Sequence, residues 1–230
     1  MGFVTRRFVR AVAASSMLLF SSFALAADWQ MELDEEGVQL YSRQSDTSQL
    51  KTVKVVSQVK ASLSSLVSFL SDHNQFPAWM DKVSKVEKIR DISPQESLTY
   101  TVIDSPWPER DRDNVLYSKW EQDPASLVVT KKIFSEPGYV GESADKIRAP
   151  FFEGEWKLAP KADGFVEVSY TVDFDPGGKV QGWLLEMFTY EMPFKTMQNL
   201  RTAGLDQYQG AKFAFIKEPV RSGVAMTTQQ

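Results

Sequence analysis

Two acids and two glycines meet at the stretch "DFDPGG", residues 173 to 178, where a run of alternating apolar residues gives way to helical spacing. Such a junction can hold a metal, cradle a phosphate or turn the chain. The metal reading fails on spacing: with Asp173 and Asp175 as positions one and three of a calcium loop, positions five and twelve fall on Gly177 and Leu184, where oxygen ligands are required. The phosphate reading fails too, because neither glycine-rich phosphate fingerprint can be laid on "GGKVQG". A turn remains. Pro176 fixes φ and stops the strand ladder, while Gly177 and Gly178 can take positive φ and act as a hinge.

Other polar candidates are weaker. "SPWPERDRDN", 105 to 114, reads either as a solvated turn with surface ion pairs or as a segment that brings Arg112 and Asp104 to a cavity wall, where a buried pair meets a ligand's polar group. His73 is the only histidine and there is no cysteine, so thiol chemistry is excluded and a metal cluster or Ser-His-Asp triad would rest on one residue. In "SDHN", that histidine reads as a capping or surface residue. Asp104, Glu153 and Glu155 can serve acid–base chemistry, but nothing singles one out. No catalytic residue, metal site or cofactor is expected. The apolar candidates are Trp156, Tyr170, Val172, Trp183, Met187, Tyr190, Phe194 and Met197. Each alone reads as core; together, aromatic and methionine side chains suit an adaptable apolar pocket.

The elements that must position these residues can be read from periodicity. Strand-like runs occupy 37–43, 50–59, 83–92, 97–104, 113–121, 126–134 and 151–159. The clearest strand is "FVEVSYTVDFD", in which Val166, Val168, Tyr170, Val172 and Phe174 alternate with polar residues, giving one apolar and one wet face. A short helix is expected in "SLSSLVSFLSDH", with serine caps and Leu63, Leu66, Val67, Phe69 and Leu70 on one stripe. A long final helix is expected over about 180–209, its stripe formed by Trp183, Met187, Tyr190, Phe194 and Met197. Pro193 should kink or split it. The sum is an α+β fold of seven or eight strands wrapping the final helix.

The chain ends are of a different kind. Arg6, Arg7 and Arg10 precede an apolar run and the small-x-small site Ala24-Leu25-Ala26, the pattern of a signal peptide over 1–26. Its removal takes three of 26 basic residues and none of 30 acidic ones, leaving 23 against 30, a net charge near −7. That balance argues against a nucleic-acid partner. Export without cysteine requires a fold held by its hydrophobic core, here one domain over 27–217, and fits the periplasm best, with plain secretion as the alternative. Residues 218–230 read as a disordered tail.

In order as well as type, these segments resemble the START lipid-transfer domains, of the helix-grip fold. "AWMDKVSKVEKI" resembles the family's tryptophan-then-acid segment, "RDNVLYSKW" its Arg-Asp strand opening, and "IRAPFFEGEWKLAP" its Arg-Ala, Gly-x-Trp and Pro pattern. "VEVSYTVDFDPGGKVQGWLLEMF" matches its Asp-Pro-Gly-Gly junction and C-terminal helix. The similarity runs from about 38 to 209. It implies a curved antiparallel sheet around a long C-terminal helix, with an apolar cavity between them for a sterol, phospholipid or isoprenoid, bound and transported without chemistry and with transient membrane contact. Tyr117 and the residues named above would line that cavity, and Gly138 and Tyr139 in "SEPGYVGESADK" would belong to a gating loop. The alternative reaction class is that of a related cyclase or dehydratase acting on a polyketide-like substrate through cavity carboxylates. A third reading is a filled interaction domain.

Overall fold

A computed structural model describes residues 29–220. Residues 1–28, which include the segment expected to be a signal peptide, and residues 221–230 of the expected tail lie outside the described residues. The strands are β1 (Gln30–Glu35), β2 (Val38–Gln44), β3 (Lys51–Lys60), β4 (Val83–Ser93), β5 (Glu96–Ile103), β6 (Arg112–Gln122), β7 (Val129–Ser135), β8 (Ile147–Arg148), β9 (Phe151–Pro160) and β10 (Phe165–Asp175). The helices are α1 (Leu63–Phe69), α2 (Phe76–Trp79), α3 (Gly182–Glu186) and α4 (Met192–Thr202). One sheet runs in the order β1-β2-β3-β10-β9-β7-β6-β5-β4, antiparallel throughout that path, with β8 added in parallel to β6.

β10 behaves as its alternation demands: Val166, Val168, Tyr170, Val172 and Phe174 are all buried, and the intervening residues reach solvent in part. Its partners β3 and β9 repeat the pattern, so the three strands build the floor of the core. α1 follows β3 because Ser62 caps it, its hydroxyl accepting from the Ser65 N–H at 3.0 Å. Leu63, Leu66, Val67, Phe69 and Leu70 are buried beneath it. Glu218, the first residue of the expected tail, accepts from the Leu63 and Ser64 N–H groups at the same helix start.

The final helix is shorter than its periodicity suggests. It starts at Gly182 and ends at Thr202, where Ala203 turns extended ahead of Gly204. Between α3 and α4, residues Met187–Glu191 form a π-helical turn, with the Met192 N–H reaching back to the Met187 carbonyl. Pro193 explains the break: it has no N–H to donate, and widening the preceding turn by one residue relieves the crowding of its ring. α4 lies across β2 and β3 and touches α2.

Two strands have no counterpart in the sequence reading. β1 is almost wholly exposed, and in "QMELDE" only Met31 and Leu33 alternate with polar residues, too short a pattern to mark a strand. β8 is only two residues long.

Candidate ligand-binding site

The junction at 173–178 is a turn. Gly177 and Gly178 take φ of 67° and 72°, the left-handed region that glycine enters without strain. The Gly177 N–H donates to the Asp175 carboxylate at 2.9 Å. Asp173 accepts from the hydroxyls of Ser45, Thr47 and Thr52. Its role is to tie the loop before β3 to the end of β10. Among the described residues no group of three metal-ligating side chains occurs.

Arg112 is fully buried, though not as the partner of Asp104. Its guanidinium donates to the Arg110 carbonyl at 2.6 Å, the Ser105 hydroxyl at 3.2 Å and the Pro176 carbonyl at 3.4 Å. Its carboxylate neighbour is Glu109 at 3.6 Å. It lies 5.7 Å from the Phe188 ring, so it locks the β5–β6 loop to the 173–178 turn behind the helix. Asp104 is exposed. The buried carboxylate–guanidinium pair is instead Asp113–Arg148, joined at 2.9 and 3.1 Å, with the Tyr100 hydroxyl donating to Asp113 at 2.9 Å. Arg148 also donates to the carbonyls of Pro137, Val140 and Gly141, and so holds the loop that carries Gly138 and Tyr139. Both of those residues are exposed; Tyr139 accepts from Arg90 at 3.2 Å.

An interior cavity of about 70 Å³ lies between the sheet and the helical elements. Trp156, Tyr170 and Val172 form part of its floor, with Phe152, Phe174 and Ile133 beside them. Trp156 and Tyr170 stack at 4.2 Å. Gly154 keeps this floor open, since a Cβ there would come within 2.8 Å of the Phe152 ring. Phe188, Met192, Pro193 and Thr196 close the cavity from the helix.

These helix residues are not the ones the stripe singled out. Trp183, Met187, Tyr190 and Phe194 project to the opposite side, where they line an open groove of about 750 Å³ with Leu33, Leu40 and Pro106. Met197 is wholly buried in the core. The helix is apolar on two faces because it is packed on two sides, and periodicity alone does not say which face meets the cavity. Tyr117 stands on the outer face of β6, donating to Glu96 at 2.6 Å.

The polar groups in the cavity wall are Thr99, Thr101, Asn114, Ser118, Lys131, His73 and Thr196. Asn114 has neither its amide nitrogen nor its amide oxygen hydrogen-bonded. Lys131 is buried and donates to the Leu70 carbonyl at 2.9 Å; burial pulls its ammonium down to about 8. His73 is half-buried against Phe76, not a surface residue. Burial, with the nearby Lys131 charge, lowers its imidazole to about 4, so it is neutral at neutral pH. Glu153 and Glu155 point away from the cavity on β9, and no carboxylate lines it among the described residues.

Sequence reasoning missed Asn114 and Lys131. The signal was present for Lys131, which stands between Val129 and Ile133 on one face of its strand; Asn114 stands between Arg112 and Leu116 and interrupts no apolar run.

Residues 23–209 match the START domain model. The chain belongs to the START domain family. An uncharacterized protein of Pseudomonas aeruginosa is 32% identical over 192 residues, covering 84% of this chain and 94% of that protein. Among solved structures, a STAR-related lipid transfer protein of Xanthomonas axonopodis has a TM-score of 0.68 at 32% identity, covering 75% of this START chain and 96% of its own. The human StAR-related lipid transfer protein 5 has a TM-score of 0.69 at 15% identity, covering 76% and 86%. The latter likeness is one of fold: a curved antiparallel sheet closed by a C-terminal helix.

Proposed function

We propose that this START domain binds a hydrophobic ligand in the cavity between β5, β6, β7, β9, β10 and the C-terminal helix, and carries it between membranes without chemical change. The observation that carries the reading is the composition of the cavity wall: mostly aromatic and aliphatic side chains, two methionines, and a few polar groups, of which Asn114 is unpartnered and Lys131 the one cation among the described residues. Burial of apolar ligand surface, at roughly 25 cal/mol per Å², supplies the driving force, and Asn114 offers hydrogen bonds to the ligand's polar atoms. Met80 and Met192 are soft enough to give way as a ligand enters.

Transport rather than storage is favoured by the solvent face of the molecule. Trp107 is 92% exposed and Trp183 41%, both flanking the groove beside α3, and exposed tryptophan prefers the membrane–water interface. Residues 1–26, with the pattern of a signal peptide, support a periplasmic site of action. A cyclase or dehydratase would draw on Asp104, Glu153 or Glu155, and all three lie away from the cavity wall.

Solvent extraction of protein purified from its native host, followed by mass spectrometry, tests the reading. The expected result is a lipid-class molecule at a stoichiometry near one per chain. Protein that carries nothing apolar and takes up no added lipid would overturn it.

A further inference from the structure

The inward face of β7 reads Val129, Lys131, Ile133. In a strand half-buried by period two, the middle position calls for an apolar residue; Lys132, next along, meets solvent as a strand lysine ordinarily does. Lys131 is paired in register with Trp156 on β9 and Trp120 on β6, both buried. A lysine in such a place breaks the local rule, and breaches of that kind concentrate at functional sites.

What surrounds the ammonium does not neutralise it. Its hydrogen bond to the Leu70 carbonyl is the one it makes among the described residues, and it lies 5.3 Å from the Trp120 ring and 5.8 Å from that of Phe76. The carbonyl at the end of α1 and the two ring faces favour a cation, yet none is a counter-ion. The titratable group beside it is His73, held neutral, and no carboxylate lines the cavity among the described residues. The only cause acting on Lys131 itself is burial. A buried cation with spare donors and no anion is an expensive arrangement unless something that enters the cavity supplies the anion.

Given the ligand-binding reading above, we propose that the cargo is an amphiphilic carboxylic acid of fatty-acid type, its carboxylate seated on Lys131 and its tail running along β6 past Leu116 towards the rings of Phe152, Phe174 and Phe188. Beyond the Ser118 hydroxyl the tail's path is apolar: Leu116 and Ile133, then Phe152, Phe174 and Phe188. Four steps along β6 lead from Trp120, the register partner of Lys131, to Leu116, about 14 Å at ~3.4 Å per residue. That length suits an extended acyl chain. The free volume of about 70 Å³ corresponds to roughly five waters at ~10–15 Å³ each, so a long chain must displace the flexible side chains at the rim, whereas a short acid fits with less movement.

The experiment compares hexadecanoic acid with methyl hexadecanoate and hexadecanol on the delipidated full-length mature protein, by tryptophan fluorescence and calorimetry near pH 7. The expected result is that the acid binds about tenfold or more tightly than the ester, as a charge-assisted hydrogen bond in a buried site implies. Lys131→Met should bring the three ligands within about threefold of one another while keeping ester binding, whereas Lys132→Met, on the solvent face of the same strand, should leave the acid's advantage over the ester unchanged. Equal binding of acid and ester by the wild type overturns the acid assignment and leaves lipid binding standing. A preference for the acid that survives in Lys131→Met overturns the seat. If neither acid, ester nor alcohol binds, the acid assignment falls, and the extraction test decides whether lipid binding falls with it. The wild-type ratio needs no variant, so poor folding of Lys131→Met does not shield the proposal; decanoic acid against its methyl ester repeats the comparison at a length that needs less rearrangement.

Discussion

Asn114 sits in the cavity wall with both ends of its amide unpartnered, and a buried polar group without a partner costs on the order of 1–3 kcal/mol. Leucine has the same number of side-chain heavy atoms, branched at the same carbon, and no polar atoms, and its larger volume can extend into the cavity. Asn114→Leu is therefore expected to stabilise the ligand-free protein by about 1 kcal/mol, raising its melting temperature by ~2–4 °C for a domain of this size, while weakening binding of lipids with a hydrogen-bonding group. Calorimetry on delipidated protein checks the first half and ligand titration the second. A lower melting temperature would show that Asn114 has a partner in the empty cavity. Stability given up for affinity is the usual trade at a binding site. At this scale the sequence was legible where pattern and role agree. Trp156, Tyr170 and Val172 are inward residues of regular strands and do line the cavity. Arg112 was legible as a residue of consequence, but its carboxylate neighbour was not: Glu109, three residues away, stands where Asp104 was expected. Pairing across a loop depends on how the loop folds back, and no local pattern encodes that.

The elements are better determined than the residues they carry. β10 and α1 follow directly from alternation, capping and stripe, and Pro193 marks the place where the helix departs from α geometry. The helix is also where sequence reading misled, since a helix packed on two sides presents two apolar stripes and the one chosen, through Trp183, Met187 and Tyr190, faces the groove. The turn that launches the helix gives a sharper test. At Gly177 a Cβ would lie 3.0 Å from the Pro150 ring and 3.3 Å from the Arg148 carbonyl; at Gly178 its nearest neighbour is the Ile147 side chain at 3.4 Å. Both positions have positive φ, so valine at either is strained by about 1–3 kcal/mol. Only at Gly177 does backbone crowding add to the strain. Urea unfolding should therefore rank wild type above Gly178→Val and Gly178→Val above Gly177→Val. The reverse order would mean that the turn relaxes away from β8 at little cost.

At the scale of the whole molecule, a curved sheet and a helix enclose a cavity whose mouth must open if cargo is to pass, and the membrane contact proposed above would fall on the surface beside α3. Trp107 is held in the β5–β6 loop next to the start of that helix: Gln181 donates to Glu109 at 3.3 Å and accepts from the Trp183 indole at 3.0 Å. The two exposed tryptophans thus belong to one mechanically connected corner, which Arg112 ties in turn to the 173–178 turn through the Pro176 carbonyl. Insertion of Trp107 into the lipid interface would pull on the base of the helix that closes the cavity. The chain as a whole carries 30 acidic against 26 basic residues, so its net charge disfavours docking on anionic lipid. Replacing both tryptophans by alanine should slow lipid transfer between zwitterionic vesicles about tenfold or more, the order expected when two interfacial anchors of ~1 kcal/mol each are lost, while equilibrium affinity for a soluble short-chain lipid stays unchanged. For wild-type protein on anionic vesicles, added salt should speed transfer by screening the like-charge repulsion. Since the chain has no cysteine, a single Trp183→Cys substitution carries an environment-sensitive fluorophore to this corner without competing labels. A blue shift on mixing with vesicles would report the contact directly. An unchanged transfer rate in the double variant, together with a silent fluorophore, would move the membrane-facing surface elsewhere on the molecule.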